Sequence, residues 1–271
     1  MIRPVPAHGA CIRASGSKAP KLYLGCAGWS IPRAAQDRFP PAGSHLQRYA
    51  QVFNAAEINS SFYRNHLPAT YRRWAAAVPP EFRFSVKFPR TISHGAKLRD
   101  CDELLKTFLE GVEELGDRLG CLLLQLPPRS GWDARTVLPF LARLRQMHRG
   151  PVACEPRHAS WFHADVSHAL QACGVAMVGA DPALSRRARI PSGDRQLQYL
   201  RLHGTPRMYY DSYPANVLEN LARRLQRPSP DTTQRWCIFD NTALGYATDN
   251  ALDVLGRLPS FRLPCPDVSV R

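Results

Sequence analysis

Residues 198–204 read QYLRLHG, and the alternation within this short stretch decides the fold. Its two leucines fall on one side of an extended chain, whereas Tyr199, Arg201 and His203 fall on the other. The same alternation occurs in residues 83–87, RFSVK. A strand that helices cover on the outside and that faces a polar opening on the inside has this pattern. It therefore favours a closed barrel over an open sheet.

Runs of this kind alternate with helical stretches along the whole chain, which is typical of parallel strands joined by helices. The eight predicted strands are 22–28, 55–59, 83–87, 119–125, 152–155, 176–180, 198–202 and 236–239. The predicted helices are 45–53, 69–77, 101–115, 134–147, 165–173, 215–225 and 250–258. This count predicts an α/β fold, a single (β/α)8 TIM barrel over residues 21–258. Between strands six and seven, residues 183–197 hold Pro191, Gly193 and five charges, so an irregular loop is expected in place of a helix.

The composition is that of one globular domain. The chain has 271 residues, of which 44% are hydrophobic and 21% charged. No apolar run approaches the roughly 20 residues of a membrane span. Residues 1–20 are basic and lack the apolar core of a signal peptide, so we expect a flexible tail on a cytoplasmic protein, with a second tail over 259–271. The eight cysteines form no CxxC pair and are expected to be reduced thiols in the core.

The net charge of +14 raises the question of nucleic acid. Of the 36 basic residues 31 are arginine, a skew that coding bias produces as readily as function. One cluster stands out, at Arg186, Arg187, Arg189 and Arg195. Basicity of this kind predicts affinity for polyanions and does not by itself define a nucleic-acid function.

Every predicted strand delivers a polar group at its carboxyl end, where barrel enzymes place their sites. The residues at or just after the eight strand ends are Ser30, Asn59, Lys87, Gln125, Glu155 with Arg157, Asp181, Arg201 with His203, and Asp240 with Asn241. Because the carboxyl ends of parallel strands meet at one end of a barrel, six inward charged or polar side chains are expected to converge on a single cleft: Glu57, Lys87, Glu155, Arg157, Arg201 and His203.

Seven motifs carry a family resemblance: LGCAGWS, AAEINSSFYR, FSVKFP, LLLQLPP, EPRHASWF, YLRLHGTPRMYYDSYP and FDNTALGYATDNAL. They resemble, in order and over residues 21–258, the YecE-like family, a domain-of-unknown-function family. The resemblance implies a (β/α)8 barrel and leaves the reaction undefined. The family's motif residues correspond here to Gly28, Trp29, Glu57, Asn59, Phe62, Tyr63, Lys87, Gln125, Pro127, Glu155, Arg157, Trp161, Arg201, His203, Gly204, Tyr209 and Asn241. Two departures are the stretch IPRAAQDRFPP after Trp29 and the Asp240-Asn241 pair where two asparagines are common.

Carboxylates and cations at one cleft suggest acid–base chemistry on a small anionic or polar substrate. The predicted catalytic residues are Glu57, Glu155 and His203. The predicted substrate-binding residues are Trp29, Asn59, Tyr63, Lys87, Gln125, Arg157, Trp161, Arg201, Tyr209, Asp240 and Asn241. The structural alternative is a web of ion pairs that only fixes the end of the barrel, although buried pairs are costly to desolvate.

Other interpretations of these residues can be weighed against this hypothesis. His203 with the three carboxylates would suit a divalent metal, but the neighbouring cations disfavour one, so no cofactor is predicted. The alternative function is binding or processing of single-stranded nucleic acid. It would use the aromatic residues of the loops after the strands and the arginine loop, which we define as residues 186–195. The serines lack a G-x-S-x-G context and the glycines form no phosphate loop. No membrane partner is predicted, and the oligomeric state is not indicated.

Overall fold

Short apolar runs become strands in this protein, and the amphipathic runs between them become helices. The computed structural model describes residues 20–259, so the two predicted tails lie outside the described residues except for their inner ends. The ten strands are β1 (Lys21–Ala27), β2 (Ala55–Ile58), β3 (Arg83–Lys87), β4 (Leu119–Gln125), β5 (Val152–Glu155), β6 (Val175–Met177), β7 (Gly179–Asp181), β8 (Ser192–Gly193), β9 (Leu197–Leu202) and β10 (Gln234–Phe239). The seven α-helices are α1 (His45–Tyr49), α2 (Pro68–Ala76), α3 (Asp102–Val112), α4 (Ala134–Met147), α5 (Ala164–Ala172), α6 (Ala215–Leu225) and α7 (Tyr246–Gly256).

The strands form one sheet that curves into a nearly closed barrel. Their order is β7-β9-β10-β1-β2-β3-β4-β5-β6-β8, and every pair is parallel except β6 with β8. Ten strands are present where the sequence predicts eight, because β8 lies in the predicted irregular loop and the predicted sixth strand is divided at Val178. Its first part, β6, pairs with β5, and its second part, β7, pairs with β9. The chain thus changes neighbours at Val178, whose amide still donates to the Cys154 carbonyl at 2.9 Å.

Two apolar clusters follow from the alternation along the strands. The outward residues of the strands, such as Phe84, Val86 and Leu200, pack against the helices in the larger cluster. The inward residues form a smaller cluster inside the barrel, which includes Tyr199 and Trp236. Period-two alternation assigns each side chain of a strand to one of these layers. The alternation predicted from residues 198–204 is therefore present.

Residues 183–197 form no helix, and the regular structure among them is β8 and the first residue of β9, Leu197. The Ala180 amide donates to the Ala188 carbonyl at 3.0 Å, which holds the upper part of the loop against β7. Arg189 pairs with Asp181 at the carboxyl end of β7, at 3.3 Å. Arg195 pairs with Asp231, which precedes β10 at the opposite end of the barrel. The arginines of this loop are thus spread along it and do not form one patch.

The described cysteines are free thiols, and five of the six are buried. Cys121, Cys154 and Cys237 are strand residues, and burial raises the pKa of each thiol well above its ordinary value. They behave as small core residues, as the sequence predicts. Over residues 20–259, no helix is both long and apolar enough to span a bilayer.

Candidate functional site

Charged side chains fill the inside of the barrel at the carboxyl ends of the strands. We call this group the mouth cluster and define it as Glu57, Lys87, Glu155, Arg157, Arg201, His203 and Asp240. All of its members except Arg157 are classed as buried, and the Arg157 side chain is 12% exposed. The sequence predicts this convergence, because the residues share inward parity and lie at or just beyond strand ends.

Arg201, near the end of β9, lies at the centre of the mouth cluster. Its Nε donates to Glu57 Oε2 at 2.9 Å and its Nη2 donates to Glu57 Oε1 at 2.5 Å, a bidentate pair. Nη1 donates to Glu155 Oε2 at 2.6 Å, and Nη2 also lies 3.0 Å from Asp240 Oδ2. A single guanidinium therefore binds three carboxylates that arrive from β2, β5 and the end of β10.

His203 has a carboxylate at each ring nitrogen. Its Nδ1 lies 3.0 Å from Asp240 Oδ2, and its Nε2 lies 2.8 Å from Glu155 Oε1. Arg157 Nη2 also lies 2.8 Å from that Nε2. A neutral imidazole donates from only one nitrogen, whereas an imidazolium donates from both. Gain or loss of a proton at His203 therefore rearranges the contacts of Glu155 and Asp240 together.

The charges of the cluster keep two of its carboxylates ionised. Burial alone would raise the pKa of Glu155, but the Arg201 charge, together with the neighbouring His203 and Arg157, outweighs it and holds that pKa well below 4.5. For Asp240 too, burial alone would raise the pKa, but the Arg201 charge opposes burial and the pKa is lowered. Both groups are therefore carboxylate partners for Arg201 and His203, and neither is a ready proton donor near neutral pH.

Lys87, the last residue of β3, differs from the other cations of the cluster. Its side chain is buried, with 6% of the residue exposed, and Nζ lies 4.2 Å above the Phe62 ring centroid. Within residues 20–259, Nζ makes neither a hydrogen bond nor an ion pair. Burial and the nearby Arg201 charge lower the pKa of Lys87 to about 8, against the attraction of the cluster's carboxylates.

Other polar atoms at the mouth also lack partners within the described chain. Arg157 uses Nη2 on Glu155 at 2.8 Å, while its buried Nε makes no hydrogen bond. Asn59 Oδ1, just beyond β2, and Asn241 Oδ1, just beyond β10, are buried and unpaired as well. Buried polar atoms are paired in the great majority of cases, so three such atoms at one end of the barrel indicate a place where a ligand or water completes the bonding.

The structure gives the predicted aromatic residues different positions. Tyr63 and Tyr209 lie at the rim and are 71% and 40% exposed. Tyr209 has φ of +72° and packs edge-on against His203, with 5.6 Å between the ring centroids. Trp29 packs against Trp74 in the outer core. Trp161 is fully buried and donates from Nε1 to the Ser130 carbonyl at 2.9 Å.

Two other predicted residues, Gln125 and Asn241, have distinct local roles. Gln125 ends β4 beside Glu155 in the strand register. Asn241 donates from Nδ2 to the Asp211 carbonyl at 3.0 Å and to Asn250 Oδ1 at 2.8 Å. Asn241 thus ties the loop after β9 to α7. Gly204 belongs to the same loop, with φ of +93°, and a Cβ there would lie 2.6 Å from the Asp211 carbonyl oxygen.

Two residues of the site are absent from the sequence-based prediction. Tyr199 donates to Glu57 Oε2 at 3.0 Å, and its hydroxyl oxygen lies 2.9 Å from Ser85 Oγ. Tyr199 and Ser85 therefore support the mouth cluster from below. The signal that identifies Tyr199 is its inward parity with Arg201 and His203 in the stretch 198–204, and Ser85 has the same parity with Lys87.

The donor set of the cluster does not fit a metal ion. Within the described part of the chain, no three His, Cys, Asp or Glu side chains form a group that could hold one. Arg201 lies between the carboxylates of Glu57, Glu155 and Asp240, at the position that a cation would take. His203 is used at both nitrogens. The predicted alternative of a divalent metal among these four residues therefore receives no support from the geometry.

A cavity of about 660 Å³ opens beside the mouth, between the loops that follow β3 and β4. Its polar lining includes His94, Lys97, Arg99 and Arg129, with Asp133 as its one carboxylate. The His94 ring packs on Phe62, with 5.0 Å between centroids, and Phe62 in turn lies under Lys87 Nζ. This basic cavity is thus adjacent to the cluster's open side.

Together, the fold and the site define a class of protein: an α/β barrel with a buried network of charges at the carboxyl ends of its strands. A family profile described as "Protein of unknown function DUF72" matches residues 23–266. The chain therefore belongs to the DUF72 family. The resemblance predicted from the sequence motifs is confirmed.

Several relatives agree with this assignment. The UPF0759 protein YecE of Escherichia coli K12 is 38% identical over 110 residues, which cover 41% of this chain and 39% of that relative. The UPF0759 protein YunF of Bacillus subtilis is 21% identical over 263 residues, covering 86% of this chain and 93% of that relative. A crystal structure of a DUF72 family protein from Thermotoga maritima superposes with a TM-score of 0.72 at 23% identity, covering 88% of this chain and 99% of that one. One from Enterococcus faecalis gives 0.72 at 20% identity, covering 89% and 98%.

Proposed function

We propose that this protein is an enzyme that acts on a small anionic or polar substrate at the mouth cluster. The observation that carries the proposal is a contrast between neighbouring cations. Arg201 is saturated by three carboxylates, whereas Lys87 Nζ faces the Phe62 ring and has no ion-pair partner within residues 20–259, and the buried Arg157 Nε makes no hydrogen bond there. A cluster built only for stability would leave no cationic donor unused, because an unpaired buried charge is costly. Open cationic donors fit an anionic group of a ligand.

We infer distinct roles for the members of the cluster. Lys87 and Arg157 bind the anionic group. Arg201 holds Glu57, Glu155 and Asp240 in place and does not itself contact substrate. His203, between Glu155 and Asp240, carries the proton, since a change in its protonation is shared by both carboxylates. Asn59 and Gln125 at neighbouring strand ends orient the polar groups of the substrate.

The rim supports the same function. Tyr209 has a left-handed backbone conformation, which costs a residue with a Cβ roughly 1–2 kcal/mol. Strained residues persist where the surroundings fix them, and they concentrate at active sites. Here the strain places the Tyr209 ring against His203 at the edge of the cluster. Tyr209 and Tyr63 would then cover the bound substrate.

A TIM-barrel interpretation of the strand order supports the proposal. We interpret β6 and β7 as the two halves of one strand, since only Val178 separates them and each pairs with one side of the barrel. With that reading the barrel has eight parallel positions, and β8 is an addition at β6. TIM-barrel enzymes bind substrate at the carboxyl ends of the strands. The mouth cluster occupies that end.

A ligand screen tests the proposal. Thermal shifts would be recorded for the wild type with small carboxylates, phosphates and sugars, and compounds that stabilise it would be followed for conversion by proton NMR. We expect stabilisation by a subset of anions that is lost in Lys87→Met and Arg157→Met. The exposed Lys106→Met and Arg149→Met are matched controls and should retain it. Stabilisation by no compound, or equal stabilisation of all four variants, would refute the proposal.

Two further variants separate this function from nucleic-acid binding. A site for single strands on the arginine loop predicts oligonucleotide binding that falls steeply with salt and weakens in Arg186→Ala and Arg187→Ala. Arg189 and Arg195 are already paired with Asp181 and Asp231. Oligonucleotide binding that depends on the loop arginines and not on Lys87 would favour that alternative.

A further inference from the structure

Lys87 is placed differently from the other lysines that the structure describes. It lies inside the barrel at the end of β3, and it is buried, whereas Lys21, Lys97 and Lys106 are exposed or half-buried. Its Nζ faces the Phe62 ring and has no partner in the described chain. The carboxylates that could neutralise it, those of Glu57, Glu155 and Asp240, are bound to Arg201.

This placement changes the chemistry of the amine. Removing a lysine from water disfavours its ammonium form, and the Arg201 charge acts in the same direction, which lowers the pKa of Lys87 to about 8. About a tenth of Lys87 is then a free amine near neutral pH, compared with less than about a thousandth of an exposed lysine. A free lysine amine is a nucleophile toward carbonyl carbon. An anion-binding role alone would not require a lysine that gives up its charge so readily.

We propose that Lys87 is a covalent nucleophile that captures an aldehyde or ketone substrate as an imine at the mouth of the barrel. The proposal rests on the proposed function, because it uses the same site and names the substrate class as a small carbonyl compound. Arg157 then remains to bind a carboxylate or phosphate on that substrate. Phe62 shields the amine from water on one side. In this proposal Lys87 forms a covalent bond to the substrate, in addition to the anion contact proposed for its charged form.

The reaction balances without an added reagent. The Nζ lone pair attacks the carbonyl carbon, and the carbonyl π electrons move to oxygen, which takes a proton and gives a carbinolamine. The carbon–oxygen bond then breaks, the oxygen leaves as water and a protonated carbon–nitrogen double bond remains. Overall, the ammonium and the carbonyl compound give the protonated imine and water, and both hydrogens of the water come from the ammonium. His203 lies in the same cluster and can carry the proton between the two steps.

Reductive trapping tests the proposal directly. The wild-type chain would be incubated with formaldehyde or with pyruvate, each in the presence of cyanoborohydride near neutral pH, and the modified lysines mapped by mass spectrometry. We expect Lys87 to be modified at least about tenfold faster than each of the other four lysines, because its free-amine fraction is larger. Modification of Lys87 less than tenfold faster than Lys106 with both probes would overturn the proposal.

A control separates this proposal from the proposed function. Lactate resembles pyruvate but has no carbonyl group that an amine can capture. If lactate and pyruvate stabilise the wild type and not Arg157→Met, while neither carbonyl probe selects Lys87, the anion site stands and the nucleophile is wrong. Selective trapping without stabilisation by any anion would support the nucleophile and refute the anion site. The mapping uses the wild type, so the result does not depend on the folding of Lys87→Met.

Discussion

The two halves of the barrel interior have opposite chemistry. At the amino ends of the strands the interior is aromatic and apolar, with Tyr23 stacked on Trp236 at 4.6 Å and Tyr199 on Trp236 at 5.8 Å. At the carboxyl ends it is the mouth cluster, centred on Arg201. The strands alternate in the same way through both halves, so the fold allows either chemistry at either end. Tyr199 belongs to both, since its ring packs below and its hydroxyl binds Glu57.

The lower half of the barrel interior, at the amino ends of the strands, is filled by apolar and aromatic side chains. A Cβ on Gly120 would lie 2.6 Å from the Trp236 ring, so the large indole fills the space that this glycine leaves. Packing of this kind stabilises the fold through burial of apolar area, about 25 cal/mol per Å². The upper half instead buries charged groups. Buried ion pairs are a weak source of stability, because removing the charges from water offsets the gain from pairing them. The difference supports our proposal that the upper half is arranged for a ligand, and four substitutions test this proposal.

The largest expected effect is that of Arg201→Met. Three carboxylates would lose their common partner in a buried site, so we expect the free energy of unfolding to fall by about 4 kcal/mol or more near neutral pH. Urea denaturation measures it. The second substitution Glu57→Gln in that background should restore part of the loss, because it removes one of the stranded charges. A loss below about 1 kcal/mol would mean that the cluster is solvated and not buried.

Trp236→Ala should lower the free energy of unfolding by about 3 kcal/mol, because apolar burial is lost and a cavity is left in the lower half. Because Trp236 is remote from the open donors of Lys87 and Arg157, the ligand-induced thermal shift of the wild type should persist. Urea denaturation and the ligand screen measure the two effects separately. Loss of ligand stabilisation in a folded Trp236→Ala would contradict the division of the interior into two functions.

Glu155→Gln should remove activity and reduce stability by roughly 1–3 kcal/mol, since it keeps the shape and loses the charge. It should also change the response to acid. The folded-state pKa of Glu155 lies well below 4.5, so above about pH 4.5 its stabilisation is complete. As the pH falls further, the unfolded chain takes up the proton first and the stabilisation is lost.

Denaturation curves of the wild type should therefore show stability falling below about pH 4.5, with a flatter fall in Glu155→Gln. Asp240, whose pKa is also lowered, contributes the part that remains in the variant. Identical slopes for both proteins would show that Glu155 does not depend on its cationic partners.

The smallest effect is expected for Arg195→Ala. Arg195 and Asp231 form an ion pair outside the barrel, and both side chains are at least half exposed. Exposed pairs contribute about 1 kcal/mol at most, so the variant should unfold within that margin of the wild type. Arg72→Ala, which breaks the pair with Glu114, is the matched control. A loss comparable to that of Arg201→Met would remove the distinction between buried and exposed charge.

The sequence predicts those parts of the fold and of the mouth cluster that a local pattern determines. Inward parity in 198–204 and 83–87 identifies the residues that share the barrel interior, and the strand ends identify the mouth. The divided sixth strand was not predictable, because residues 176–180 read as one apolar run. Its break at Val178 depends on which neighbour each half finds, β5 or β9, and that is a property of barrel closure.

The ion pairs within the mouth cluster also could not be predicted from the sequence. Parity places Lys87, Arg157 and Arg201 at one end of the barrel but does not say which of them the carboxylates bind. The choice depends on reach and direction of side chains from different strands. Arg201 takes three carboxylates, and Lys87 takes none within the described residues. The sequence predicts the same role, substrate binding, for all three cations. From the observed pairing we propose instead that Arg201 is a positioning residue and that Lys87 and Arg157 are open donors.

A crystal structure of the protein soaked in malonate, a small dicarboxylate, tests the central claim most directly. The claim is that Lys87 and Arg157 are open donors for an anion, whereas Arg201 is not. The predicted result is a malonate carboxylate within about 3 Å of Lys87 Nζ or of an Arg157 nitrogen, with the contacts of Arg201 to Glu57, Glu155 and Asp240 intact. A structure in which Lys87 and Arg157 are turned onto those carboxylates and malonate binds only elsewhere would contradict it.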